Sequence, residues 1–129
     1  MAKPAACPAP VAIDPNSTEA QALVQPLAAI LQGSPSLFAR QQAAFRLTKF
    51  GPSAAAAVAT MRETLKSRNP DGREKASVIL GRIGSAARTA LPDLAILARD
   101  DPTPSVRKAA QAAANAIDRS VRAEFAPSP

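Results

Sequence analysis

Basic side chains are the most abundant groups in this sequence that could do chemistry. Between Arg40 and Arg88 the chain carries ten Lys and Arg residues against three acids, Glu63, Asp71 and Glu74, so this stretch has a net charge of +7 and the remainder has −1. Such a basic middle can attract nucleic acid, an acidic protein face or anionic lipid. It is equally typical of a solvated, soluble helical surface. Charge alone therefore leaves the binding partner open.

The residue types needed for most catalytic sites are missing. The sequence has no histidine, which removes the commonest general base and the commonest metal ligand. Its single cysteine, Cys7, can form no internal disulfide and has no second thiol or imidazole with which to share a metal. A lysine or carboxylate mechanism stays open, but no motif indicates one. We expect no enzymatic activity, no catalytic residue, no cofactor and no metal site.

The apolar composition predicts an all-α fold. The chain of 129 residues is 47% hydrophobic, yet it contains only four Phe and no Trp or Tyr. Alanine supplies much of the apolar content, and small side chains suit close packing of helix against helix. The alternation of β-branched and aromatic residues that marks strands is absent.

The ends of the chain differ from its middle. Residues 1–16, MAKPAACPAPVAIDPN, hold four prolines and no periodicity, so they are predicted to form a disordered Pro/Ala-rich arm, and 126–129 a short tail. No apolar run long enough for a signal peptide or a membrane helix follows Met1, which favours the cytoplasm. Ala5-Ala6-Cys7 is similar to the end of a lipoprotein signal, so export of a form with a longer leader is the alternative.

Three arginines reveal a repeat. Arg40, Arg73 and Arg107 stand 33 and 34 residues apart, and each begins a similar segment, RQQAAFRLTKFG, REKASVILGRIG and RKAAQAAANAID. Small or apolar residues recur three, four, seven and ten steps past each arginine, which traces one face of a helix. Gly51 and Gly84 follow the first two segments, where a helix C-cap is expected.

A second helical pattern precedes each arginine. In the first, Val24, Leu27, Ile30 and Leu31 form the inward face and Thr18 is expected to be the N-cap. In the third, Pro92 is expected to kink the helix or to move its start later. Short proline-bearing turns join the two helices of each unit. We therefore predict one domain over 17–125, made of helix–turn–helix units at 17–51, 52–84 and 85–118 with a helical extension at 119–125.

These segments resemble the HEAT repeat family, in particular the short bacterial HEAT-like repeats related to phycobilin lyases. ALPDLAILARDDPTPSVRKAA at 90–110 follows the family pattern with one extra acid in the turn, and LGRIG at 80–84 matches the end of the unit. The first unit matches the family pattern less closely, and the second has Gly72 where the family usually has valine. The resemblance covers about residues 18–118 and implies a right-handed α-solenoid of three repeats.

The resemblance also implies structural roles for the turns. The family's turn aspartate accepts backbone N–H bonds and its arginine contacts the neighbouring repeat, which implies these roles for Asp101 and Arg107. Arg40 and Arg73 match the arginine in the other units, but Ser34 and Ser67 stand where the acid would be. Serine can still cap a helix. We expect an incomplete Asp–Arg ladder.

In such arrays the second helices usually line the concave side, where partners bind. The outward ridge of the three second helices is predicted to comprise Gln41, Phe45 and Lys49, then Glu74, Val78 and Arg82, then Lys108, Ala112 and Ala116. Phe45 and Val78 are apolar where the family usually has polar residues, so they are either a binding strip or, with the register one residue off, ordinary core. The expected binding residues are Gln41, Phe45, Arg46, Lys49, Lys75, Val78, Arg82 and Lys108.

These observations favour a non-catalytic scaffold that binds an acidic or amphipathic segment of another protein. Binding of nucleic-acid phosphates through the basic residues of 40–88 is the alternative, although no Trp or Tyr is present to stack a base. A lyase activity rests on family kinship alone. No helix combines a strong apolar face, a basic face and an aromatic anchor, so membrane association is not expected.

Overall fold

A computed structural model describes residues 17–125; the predicted arm 1–16 and tail 126–129 lie outside the described residues. Within 17–125 the chain forms α-helices and two 3₁₀ segments and contains no strand. The elements are α1 (Thr18–Gly33), α2 (Leu37–Phe50), a first 3₁₀ segment (Gly51–Ala57), α3 (Val58–Thr64), α4 (Pro70–Ile83), a second 3₁₀ segment (Gly84–Ala90), α5 (Leu91–Asp100) and α6 (Pro104–Glu124).

The helices form a linear array of antiparallel pairs. Helix α1 packs against α2, α3 against α4, and α5 against α6, while α2 also contacts α4 and α4 contacts α6. We call these pairs units 1, 2 and 3, with each 3₁₀ segment assigned to the first helix of its unit. The predicted all-α helical-repeat fold is confirmed.

Side-chain caps fix where several helices begin. The Ser17 hydroxyl accepts from the Ala20 N–H at the start of α1, and Ser36 accepts from the Ala39 N–H at the start of α2. The N-cap of α1 is therefore Ser17, one residue before the Thr18 expected from the sequence. Serine serves as well as threonine because either hydroxyl can satisfy an N–H group that has no intrahelical partner.

Glycine and proline set the boundaries between units. Gly51 and Gly84 are the C-caps of α2 and α4, as predicted, and both have positive φ angles, 53° and 80°. At Gly84 an added Cβ would lie 2.8 Å from the Ser120 hydroxyl oxygen of α6, so this turn needs glycine on two counts. Pro92 lies in the first turn of α5, because the α-helix begins only at Leu91 after the 3₁₀ segment.

The core consists of small residues interleaved with a few large ones. Leu31, Leu47, Met61, Leu80 and Ile117 are fully buried and lie between the helices. Buried alanines fill the space between them, at positions 28, 43, 54, 57, 76, 87, 90 and 110. Each large aliphatic side chain removed from water contributes on the order of 2 kcal/mol, and close alanine packing adds dispersion contacts.

One residue of the predicted inward face of α1 is not buried. Val24, Leu27 and Leu31 lie in the core, but Ile30 is 38% exposed. Its counterpart in unit 2, Thr64, is buried because unit 1 packs against that side of α3. No unit covers the same side of α1 within residues 17–125. In this part of the chain no helix is long and apolar enough to span a membrane.

Candidate functional site

The second helices α2, α4 and α6 lie side by side and form two adjoining grooves. Val78, near the middle of α4, lines both of them. It is 42% exposed, and Phe45 on α2 is 58% exposed. The interpretation of these two residues as ordinary core is therefore wrong, because both present apolar surface to solvent on the face that carries the predicted ridge.

The groove between α2 and α4 has a volume of about 250 Å³. Its lining residues are Gln41, Ala44, Phe45, Thr48, Asp71, Glu74, Lys75 and Val78. The Lys75 ammonium forms an ion pair with Asp71 one helical turn earlier, so this cation is already neutralised within α4. The Asp71 Oδ2 is buried and has no hydrogen-bond partner among the described residues. We call the two grooves together the channel. Its α2–α4 half exposes the apolar side chains of Phe45 and Val78, with Glu74 as an acidic residue beside them.

The groove between α4 and α6 is larger, about 480 Å³, and has a different character. Its lining residues are Val78, Gly81, Arg82, Ala109, Ala112, Ala113, Ala116 and Arg119. The two helices approach closely here, since a Cβ added at Gly81 would lie 3.0 Å from the Ala113 Cα. The alanines give a smooth apolar floor.

Two arginines flank this alanine floor, one from each helix. Neither Arg82 nor Arg119 forms an ion pair within residues 17–125. No acid lines this groove. The α4–α6 end of the channel is consequently basic, whereas the α2–α4 end carries Glu74 and the neutralised Asp71–Lys75 pair.

The remaining predicted binding residues do not line either groove. Arg46 and Lys108 are exposed on α2 and α6 but lie outside both. Lys49 lies beside the channel, with its Nζ 4.6 Å from the centroid of the Phe45 ring. That distance allows a cation–π contact worth about 0.5–1 kcal/mol at an exposed site. The structure thus brings together Gln41, Phe45, Lys75, Val78 and Arg82.

Sequence reasoning missed part of this surface. Phe38 is 71% exposed and lies two turns before Phe45 on the same side of α2, so the seven-residue spacing could have identified it. Arg119 was assigned to a terminal extension, although it continues the ridge of Ala112 and Ala116. Because α6 runs unbroken to Glu124, Arg119 faces Arg82 across the groove.

Behind this face the turns have a common hydrogen-bonded design. Arg40, Arg73 and Arg107 each donate from Nη1 to the backbone carbonyl six residues earlier, in Ser34, Ser67 and Asp101 at 2.6, 2.8 and 2.6 Å. The side chain of that turn residue accepts the backbone N–H two residues later in all three units. The two serines therefore do replace the acid as turn caps.

Only one arginine also reaches the next unit. Arg73 donates from Nε to Asp101 Oδ2 at 2.7 Å and from Nη2 to Oδ1 at 3.1 Å. The expectation that Arg107 contacts a neighbouring unit is wrong for residues 17–125, where its side chain donates to the Asp101 carbonyl of its own turn. Hydrogen bonding to Arg73 lowers the pKa of Asp101 below its ordinary value against the opposing effect of burial, and the Thr103 N–H adds to the lowering. The predicted ladder is indeed incomplete.

The family assignment follows from this repeated architecture and from sequence comparison. A model of HEAT repeats matches residues 24–115, which is most of the chain. The chain belongs to the HEAT repeat family. Comparison with curated proteins and with solved structures found no match.

HEAT repeats typically serve as protein–protein interaction scaffolds and are generally not catalytic. In this HEAT array the residues matched across repeats, Arg40, Arg73, Arg107 and Asp101, are engaged in holding the turns. The exposed apolar residues on the second helices, Phe45 and Val78, take no part in holding the turns. No group of three or more His, Cys, Asp or Glu residues in the described part of the chain could hold a metal ion.

Proposed function

We propose that this HEAT array is a non-catalytic binding module that accepts a segment of another protein along the channel formed by its second helices. The observation that carries the proposal is the exposure of Phe45 and Val78 in two grooves that meet at Val78. Exposed apolar side chains in a groove are a typical docking surface for an amphipathic helix or strand.

The charges of the channel define the partner chemistry. An apolar side chain of the partner would rest on Val78 and the alanine floor, while a carboxylate beside it would pair with Arg82 or Arg119. Because neither arginine has an acidic partner within the described residues, binding would gain charge pairs without breaking existing ones. An amphipathic segment with acidic residues at the α6 side fits this surface best.

Nucleic-acid binding receives less support from the position of the cations. Arg62 pairs with Asp93 on the first-helix side, Arg73 with Asp101 in a turn, and Lys75 with Asp71. The basic residues of 40–88 are thus distributed around the array. A phosphate-backbone site would favour several unpaired cations along one surface.

Some finer expectations stay predictions. They are the kinship with the phycobilin-lyase-related repeats, the location in the cytoplasm, and the exact division at 17–51, 52–84 and 85–118. The arm at 1–16 and the tail at 126–129 belong with them.

The deciding experiment compares surface variants that differ in position but not in chemistry. Phe45→Ser and Val78→Ser remove apolar surface from the channel, and Ile96→Ser removes it from α5, where Ile96 is 52% exposed and outside both grooves. Tagged wild type and variants are incubated with extract of the native cell, and captured proteins are quantified by mass spectrometry. A partner should be retained by wild type and Ile96→Ser and lost with both channel variants.

Urea unfolding of the same variants provides the control for folding. Because the substituted side chains are exposed, we expect each free energy of unfolding to stay within about 1 kcal/mol of wild type. A core variant, Leu80→Ala, should lose about 2–5 kcal/mol. Unfolding of Phe45→Ser or Val78→Ser, or equal capture by channel and control variants, would contradict the proposal.

A further inference from the structure

One side of the channel is bordered by cations from all three second helices. Lys49 in α2 lies one helical turn past the exposed Phe45. Arg82 occupies the same place in α4, one turn past the exposed Val78. In α6 the cation is Arg119, which lines the same groove as Arg82. All three cations are exposed, and none forms an ion pair within the described part of the chain. We call Lys49, Arg82 and Arg119 the basic rim.

The opposite side of the channel has no such row of like charges. The residues one turn before Phe45 and Val78 are Gln41 and Glu74. The equivalent residue of α6 is Lys108. These three side chains are neutral, acidic and basic in turn. The channel therefore has an apolar floor with a continuous row of positive charge along one side only.

The helix dipole accounts for two members of the basic rim but not for the third. Lys49 and Arg82 lie in the last turns of α2 and α4, where the partial negative charge of the helix end favours a cation. Arg119 lies more than one turn before α6 ends at Glu124, and the effect of the dipole falls off within the last turn. The row of cations is therefore not only a consequence of where the helices end.

The spacing of the second helices determines which conformation of a crossing segment fits them. Packed helices lie about 8–10 Å apart, and α2 contacts α4 as α4 contacts α6. An α-helix advances about 10.5 Å in seven residues, which make almost two full turns, so side chains at this spacing point in nearly the same direction. A β-strand covers about 10 Å in three residues, and its side chains alternate, so every second contact would point away from the floor. A helix with a seven-residue repeat matches the array and a strand does not.

We propose that the partner segment is an α-helix laid across the second helices, with an apolar stripe on the channel floor and an acidic side chain every seven residues along the flank that faces the basic rim. This inference rests on the proposed function and adds the conformation and charge pattern of the partner. One carboxylate in each seven-residue repeat meets one cation of each second helix. Reaching from α2 to α6 takes two interhelix spacings, about 16–20 Å, so about 11–14 residues separate the first and last acids.

The one-sided charge also fixes the direction of the bound helix. Turning a helix end for end exchanges its two flanks. Acids confined to one flank therefore face the basic rim in only one of the two directions. Moving the acids to the other flank should reverse the helix on the array.

Synthetic peptides of about 21 residues, three seven-residue repeats, test the pattern against the full chain by isothermal titration. The first peptide carries a leucine stripe and glutamates every seven residues along one flank. The second has the same composition, with its glutamates opposite the leucines, where they would face solvent. The third is the first with two central residues replaced by proline, which prevents a continuous helix. We expect the second and third peptides to bind about tenfold more weakly than the first.

Variants of the basic rim assign this preference to its cations. Lys49→Gln, Arg82→Gln and Arg119→Gln should each weaken binding of the first peptide about two- to fivefold and leave the second nearly unchanged. Arg88→Gln is the matched control, because Arg88 is exposed, forms no ion pair within the described residues and lies outside both grooves. An equal loss with Arg88→Gln would show general attraction to a basic protein and overturn the proposal.

A spin label at the peptide N-terminus reports the direction of the bound helix. With the first peptide, the label should broaden the backbone amide signals of either α2 or α6 and leave those of the other helix sharp. The broadened helix should change when the glutamates are moved to the other flank. Equal broadening of both helices by both peptides would contradict a one-sided basic rim.

The outcomes separate this inference from the proposed function. If all three peptides bind equally and Val78→Ser weakens each, the channel is a docking surface but its partner is not an acidic helix. If the first peptide binds wild type, Phe45→Ser and Val78→Ser equally, the channel is not the docking surface and both proposals fail. No binding of the first peptide at concentrations up to about 1 mM overturns this inference alone, because capture from extract decides the function.

Discussion

The Arg73 guanidinium in α4 and the Asp101 carboxylate in the turn before α6 form the one bidentate ion pair between units in the described structure, with Nε 2.7 Å from Oδ2. The side chains are 12% and 2% exposed. Asp101 also accepts the Thr103 N–H and, through its carbonyl, Arg107. One carboxylate therefore joins the fold of unit 3 to its contact with unit 2.

The first prediction concerns the pH dependence of this pair. The pKa of Asp101 is lowered in the folded protein, chiefly by its hydrogen bonds to Arg73. A lowered pKa stabilises the fold fully above the unfolded-state pKa, about 4 for aspartate. That stability is lost as the pH falls through the lower, folded pKa. Asp101→Asn should reduce the free energy of unfolding by about 3 kcal/mol at neutral pH, because it leaves Arg73 without its counter-ion.

Urea unfolding of wild type and Asp101→Asn between neutral and strongly acidic pH measures this effect. The difference between the two proteins should be constant at neutral pH and shrink below about pH 4. Asp100→Asn is a matched control, since Asp100 is exposed and pairs only with its neighbour Arg99. A pH-independent difference would show that Asp101 acts through packing and not through its charge.

The second prediction concerns a substitution that would add an Asp–Arg pair between units 1 and 2. Ser67 occupies in unit 2 the place of Asp101 in unit 3, so by repeat equivalence we expect Arg40 to stand toward it as Arg73 stands toward Asp101. The Arg40 Nε is buried and has no hydrogen-bond partner among the described residues. Ser67→Asp should give it one and raise the free energy of unfolding by about 1–2 kcal/mol. A Cβ added at Gly72 would lie 3.4 Å from the Ser67 hydroxyl oxygen, so glycine at this position keeps a further side chain away from the substituted turn.

Ser34→Asp is the control for this change. Ser34 has the same turn geometry as Ser67, but no arginine of a preceding unit faces it within residues 17–125. Its effect should stay within about 0.5 kcal/mol. Thermal and urea denaturation of both variants compare the two turns, and equal effects at both would remove the inter-unit pair as the cause.

These residues show which features the sequence can and cannot predict. The 33- and 34-residue spacing of the arginines predicted the helical repeat, because periodicity reports which side of each helix is buried. It also assigned Ile30 to the core, and wrongly so. The same pattern marks a residue that is buried, as at Thr64, and one that is exposed in the described structure, as at Ile30.

The candidate site was only partly predictable for a related reason. Phe45 and Val78 could be selected because they depart from the usual polar pattern of their ridge. Whether they are exposed could not be decided from the sequence, because a shift of one residue in the helical register would place both in the core. The structure shows that both are exposed. Lys75 was assigned to the binding rim from its charge, whereas its pairing with Asp71 follows from the positions of two side chains.

The third prediction concerns the turn between units 2 and 3. Gly84 has a φ of 80°, and a Cβ there would also meet the Ser120 hydroxyl oxygen at 2.8 Å. That hydroxyl accepts the Ser85 N–H at 3.0 Å, so Ser120 must stay in place. Gly84→Ala should cost about 2–4 kcal/mol from strain and the displaced hydrogen bond. Gly33→Ala, with nothing within 4 Å of the added Cβ, should stabilise α1 by up to about 1 kcal/mol.

Differential scanning calorimetry of these two alanine variants gives the comparison. Opposite signs of the change in Tm are expected, because the same substitution is strained in one place and helix-favouring in the other. A Gly84→Ala protein as stable as wild type would mean that the turn between units 2 and 3 adopts another backbone conformation.

The fourth prediction distinguishes a protein partner from nucleic acid through salt. If the partner docks on Val78 with one or two carboxylates near Arg82 and Arg119, the affinity should fall by no more than about tenfold between about 50 and 200 mM salt. A phosphate-backbone site with six to ten contacts would lose about 10³–10⁵-fold in affinity over the same range.

Two kinds of variant assign the salt dependence to particular residues. The double variant Arg82→Gln with Arg119→Gln should remove most of the salt dependence. Val78→Ser should leave the salt dependence unchanged and weaken binding at every salt concentration. Isothermal titration at several salt concentrations separates these effects. A steep slope in the wild type that Lys66→Gln and Arg68→Gln reduce, at positions away from both grooves, would instead favour phosphate binding spread over the basic middle of the chain.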